Sequence, residues 1–78
     1  MKATVLVRLK SEVLDPQGDA LGRALSRLGF VGIRGVRVGK LIEIELENQP
    51  LDQVRERLAK MSDEILANPV IEDFEVNV

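Results

Sequence analysis

The sequence contains no histidine, no cysteine, no tryptophan and no tyrosine. Without histidine and cysteine, the commonest general base and the best nucleophile are missing. Ser11, Ser26 and Ser62 therefore have no histidine to activate them. The lack of cysteine also excludes disulfides and thiolate metal sites, and it is compatible with a reducing compartment. No apolar run is long enough to span a bilayer, and Met1-Lys2-Ala3-Thr4 leads into alternation rather than into an apolar signal core. The expectation is a soluble, cytoplasmic chain with no membrane contact.

What is present is an ordinary globular balance, 45% hydrophobic and 31% charged. At 78 residues, the chain is long enough for one domain, residues 1–78, and no more. A chain of this size buries only about 60% of its unfolded surface. With no disulfide to compensate, oligomerisation is the expected supplement. The net charge of −2 is unevenly placed. Residues 1–40 hold eight Lys/Arg and three Asp/Glu, while residues 41–78 hold three and ten. Solvated faces of one small domain account for this, and a dipolar surface that orients assembly is the sharper alternative.

In chain order, Ala3, Val5, Val7 and Leu9 alternate with Lys2, Thr4, Arg8 and Lys10, which predicts a first strand. Leu6 interrupts the pattern by placing an apolar group on the wetter face, and it is a candidate for an intermolecular contact. Asp15-Pro16 reads as a helix start, with Asp as N-cap and Pro at the first helical position. Leu21, Ala24, Leu25 and Leu28 then form one stripe that the helix should bury, and Gly29 is the expected stop. Phe30, Ile33 and Val36 lead into a second strand. After Asn48-Gln49-Pro50, Leu51, Val54, Leu58, Met61 and Ile65 mark a second helix from Pro50 to Ala67, ended by Asn68-Pro69. Val70, Phe74, Val76 and Val78 alternate with Ile71, Asp73, Glu75 and Asn77 in a last strand.

Val36 to Glu47 shows the clearest period of two. Val36, Val38, Ile42, Ile44 and Leu46 share one parity, while Arg37, Glu43, Glu45 and Glu47 share the other. Gly39-Lys40 suggests a reversal. A two-residue turn there would set Val36 against Glu43, whereas a three-residue connection, Gly39-Lys40-Leu41, sets Val38 against Ile42 and Val36 against Ile44. The order is then β-α-β-β-α-β. This is a ferredoxin-like α+β sandwich, with a four-stranded antiparallel sheet and two helices on one face. Its other face would be open to a partner.

Such a fold settles no function by itself. The row Glu43, Glu45 and Glu47 reads as a solvated face, and no metal site is expected. Gly35-…-Gly39-Lys40 resembles a phosphate loop faintly. However, Arg34 stands where the first glycine is needed, and Leu41 replaces the Ser/Thr. RNA-recognition domains share the topology but stack bases on aromatics of the sheet, and Phe30 and Phe74 are the only aromatics here. No nucleic acid binding follows. A stand-alone ligand-sensing module of the amino-acid-binding ACT kind remains an alternative, although such modules usually accompany a catalytic domain. Arg37 and Lys40 stand beside a strand that is otherwise acidic on its polar side, which makes them candidate partner contacts.

Leu14-Asp15-Pro16-Gln17-Gly18, Leu28-Gly29-Phe30, Val36-Arg37-Val38-Gly39-Lys40 and Leu66-Ala67-Asn68-Pro69-Val70-Ile71-Glu72-Asp73-Phe74 together resemble the PurS family over the whole chain. PurS is the small subunit of phosphoribosylformylglycinamidine synthase in de novo purine synthesis. The resemblance implies a non-catalytic assembly subunit, with no catalytic, cofactor or metal residues of its own. ATP and Mg would sit on a large synthase subunit, and ammonia would come from a glutaminase subunit. The chain, as a homodimer or higher oligomer, would join the two and help secure ammonia transfer. Phe74 stands where the family more often has Tyr, so no hydroxyl is offered there. The candidate partner interface is Leu6, Arg37, Lys40 and Phe74.

Overall fold

A computed structural model covers residues 1–78 and shows three strands and two helices. They are β1 (Lys2–Leu9), α1 (Pro16–Arg27), β2 (Gly39–Glu45), α2 (Leu51–Met61) and β3 (Glu72–Asn77). A π turn, Ser62–Leu66, prolongs α2. The sheet is antiparallel, in the order β2-β1-β3. Val5 lies opposite Ile42 on one side and Val76 on the other. Alternation in β1 therefore does what the sequence predicts. Ala3, Val5 and Val7 are buried and meet Val54, Leu58 and Ala67 in the core, with Ile42, Ile44 and Val76 at its edge.

Several expectations fail here. The sheet has three strands rather than four, and only one helix, α2, builds the core beneath it. There is no hairpin at Gly39-Lys40-Leu41, because all three residues continue straight into β2 as partners of Arg8, Val7 and Leu6. An unbroken strand keeps Ile42 and Ile44 on one face as well as an odd-length loop would. Gly39 is required for another reason. A Cβ there would stand 2.6 Å from the carbonyl oxygen of Val7, so a bare backbone allows β2 to close on β1. Residues 30–38 form no strand, and the Val38 amide donates to the Asp15 carboxylate instead of to a ladder.

Asp15 caps α1 as expected by accepting from the Gly18 amide at 2.9 Å, and Pro16 occupies the first turn. Gly29 and Gly32, at φ 94° and 81°, adopt a conformation that side chains disfavour, and the chain turns back along the helix there. Gly18 and Gly22 let it come close. Val36 lies 3.6 Å from the Cβ position of Gly22, and its carbonyl oxygen occupies the space a side chain at Gly18 would need. The α1 lobe formed in this way contributes no side chain to the core. The chain accordingly measures 48 × 25 × 15 Å, with a radius of gyration of 15.9 Å, against about 12 Å for a compact chain of this length.

The second helix also departs from its simple pattern. The buried Ser62 hydroxyl donates to the Leu58 carbonyl at 2.7 Å, and the Ala67 amide reaches back five residues to Ser62 at 2.9 Å. Hydroxyl back-bonding of this kind loosens the ladder, and one wider turn results. The helical phase shifts, so Ile65 becomes 80% exposed while Ser62 and Ala67 turn inward.

Candidate partner interface

Three of the four predicted interface residues come together. Leu6, Arg37 and Lys40 line one open hollow of about 400 Å3, with Arg8, Val38 and Leu41 around them. Leu6 lies on the sheet face away from α2, directly across from Leu41 and Glu75. Ion pairs surround this apolar spot, Lys2 with Glu43 and Arg8 with Glu75 at 3.3 Å. The open face is therefore mostly polar. Glu43 is held by Lys2, and no three acidic groups gather as a metal ion would require.

Arg37 is tethered. Its guanidinium donates to the carbonyl oxygens of Lys10 and Val13, both at 2.9 Å. Lys40 stands 4.0 Å from Glu72 across the β1 end of the sheet. Phe74 lies apart from this group. It pairs with Val7 on the core-facing side and lines a separate hollow with Ser62, Asp63, Ala67, Pro69, Glu72 and Asp73.

Reasoning from sequence missed two features. The first is the second role of Asp15, a buried residue whose carboxylate accepts from Val38 at 2.7 Å as well as from Gly18. The Val38 amide foremost, then that of Gly18 and the nearby Arg37, hold its pKa below the usual carboxylate range, against the opposing effect of burial. The second is the bare apolar side of the α1 lobe. Leu28 is 75% and Val31 93% exposed, with Leu21, Phe30 and Ile33 also open. Gly18 and Gly22, one helical turn apart in α1, were the legible sign that a backbone passes close to this helix.

No side chain here gathers a nucleophile with a base. Ser62 is buried and bonded to a carbonyl, and Ser11 meets only Glu12. A small α+β chain is defined, with an exposed apolar stripe on its α1 lobe and a mixed apolar and cationic hollow beside β1 and β2. The family model PurS, described as phosphoribosylformylglycinamidine (FGAM) synthase, matches residues 2–78. The chain belongs to the PurS family, the subunits of that ligase complex of purine biosynthesis.

The PurS subunit of Methanocaldococcus jannaschii is 43% identical over 77 residues, which is 99% of this chain and 93% of that one. The Bacillus subtilis subunit is 39% identical over 99% and 90% respectively. The solved M. jannaschii PurS superposes with a TM-score of 0.88 at 42% identity, covering 97% of this chain and 92% of the other. A chain in a structure of PurLQS from Thermotoga maritima gives 0.88 at 33% identity, covering 97% and 93%. No helix of this chain is long and apolar enough to cross a membrane.

Proposed function

We propose that this chain, as a single unit of residues 1–78, is the assembly subunit that bridges a glutaminase and an ATP-dependent synthase in the phosphoribosylformylglycinamidine synthase complex, and that it works as a homodimer in the cytoplasm. In this reading it holds no cofactor, ATP and Mg belong to the large subunit, and the bridge secures the passage of ammonia. The observation that carries the proposal is the α1 lobe, whose apolar stripe is held away from a body that gathers no catalytic groups.

The sheet supports the homodimer from the other side. Ile42, Ile44 and Val76, at the edge of the core, stay half-exposed. An uncovered helix stripe and a half-covered sheet face on one chain are complementary surfaces for two copies of it. Leu6, Arg37 and Lys40 supply a contact surface for one of the other subunits, apolar at its base and cationic at its rim, and Phe74 belongs to a second. The inclusion of a similar chain in PurLQS from T. maritima is consistent with such contacts.

Reconstitution tests the bridge. Omitting the chain should abolish glutamine-dependent amidation, while leaving amidation from ammonia supplied at high concentration largely intact. Equal loss of both reactions would mean that the chain supports the amidation site itself, and the bridging reading would be wrong.

A further inference from the structure

The α1 lobe joins the sheet lobe through a narrow neck. The chain leaves the sheet at Leu9, enters α1 at Pro16, and returns to β2 at Gly39. At the neck, two side chains reach across in opposite directions. Arg37, on the returning segment, donates to the carbonyls of Lys10 and Val13 on the outgoing one. Asp15, on the outgoing segment, accepts from the amide of Val38 on the returning one. Both sets of bonds are charge-assisted, the stronger kind. No apolar packing does this work instead, because the core draws no residue from α1.

We propose that Asp15 and Arg37 are positioning residues, a reciprocal clamp that fixes the angle of the α1 lobe to the sheet lobe and so presents the stripe of α1 to a second copy in one orientation. This rests on the homodimer reading above. Holding a surface in its bound orientation removes the ordering cost of association, so the clamp strengthens self-association without touching the second copy.

The cap and the clamp can be separated in the full chain. Asn caps a helix as well as Asp does, so Asp15→Asn keeps an oxygen for the Gly18 amide. It also turns the other oxygen into an NH2 that faces the Val38 N–H, donor against donor. Arg37→Met keeps the apolar stem and removes both carbonyl bonds. Sedimentation should show each variant dimerising about tenfold more weakly or worse, on the scale of one lost charged hydrogen bond. The double variant should fall short of the product of the two, because they break one device. Amide exchange should quicken at Val38 and through residues 10–15, while β1 and the α1 interior keep their protection.

Unchanged dimerisation together with unchanged exchange at Val38 would overturn the clamp. So would exchange that quickens through the whole sheet, which would mark general destabilisation. If the wild-type chain proves monomeric, the homodimer reading fails by itself. The clamp is then judged on Val38 alone, supported by faster exchange in Asp15→Asn and refuted by no change.

Discussion

The two lobes of this molecule carry amphipathic patterns of similar quality and meet opposite fates. In the sheet lobe, Ala3, Val5 and Val7 alternate with polar residues and are sealed under Val54 and Leu58, with Leu58 fully buried. In the α1 lobe, Leu21, Ala24, Leu25 and Leu28 keep an equally regular helical spacing, yet Leu28 and Leu21 face outward and Ala24 and Leu25 are only half-covered. A hydrophobic pattern states that a face will be dry. It does not state which chain will dry it. Within one copy, the pattern of α1 looks like an error, and in the proposed homodimer it is the interface.

Substitutions at matched positions should break this symmetry most sharply. Leu58→Ala should cost about 2–5 kcal/mol of unfolding free energy, because it opens a cavity that the sheet cannot close. Leu28→Ala should leave the unfolding of a diluted, monomeric chain within about 0.5 kcal/mol of wild type, and should show itself in weakened self-association. Chemical denaturation at two protein concentrations measures both. An equal effect in the monomer at the two sites would mean that α1 is packed on its own body after all.

The close-approach glycines sharpen the comparison at a smaller scale. Gly39→Ala forces a Cβ toward the Val7 carbonyl at the β1–β2 seam and should cost about 1–3 kcal/mol, as overpacking does. Gly18→Ala meets the Val36 carbonyl inside the α1 lobe. It should loosen residues 30–38 in amide exchange while the sheet amides keep their protection. A more modest effect is expected from acid. The Asp15 pKa is lowered in the folded chain, so its contribution is complete above the ordinary aspartate pKa. It is lost as the pH falls through the lowered native value. Acid titration should therefore release the α1 lobe in the wild type, and Asp15→Asn should remove that step.

Much of the sheet lobe and most helix ends could be read from the residues. The β1 alternation, the Asp15-Pro16 start and the Gly29 stop are local in cause, since each depends on backbone geometry within a few positions. The hairpin at Gly39 was misread because Gly-Lys between two alternating runs looks like a turn. Parity excluded an even-length loop but could not distinguish an odd-length one from no loop. The decisive fact, the Val7 carbonyl lying where a Cβ would be, belongs to a strand more than thirty positions away in sequence. The shift at Ser62 was equally hidden, because a serine one position beside the apolar stripe gives no sign that its hydroxyl will bond to Leu58. Of the candidate interface residues, charge context brought out Arg37 and Lys40, and broken alternation brought out Leu6. That Arg37 would be held by two carbonyls depends on the chain returning past residues 10–13, which no local pattern encodes. Asp15 was legible as a cap and not as a clamp for the same reason.

Hydrogen exchange of the wild-type chain over a range of concentrations tests most directly whether the α1 lobe is completed by a second copy. Protection across residues 16–38 should rise with concentration, while β1 stays protected throughout. Protection of both regions that is high and independent of concentration, in a chain that sediments as a monomer, would contradict it.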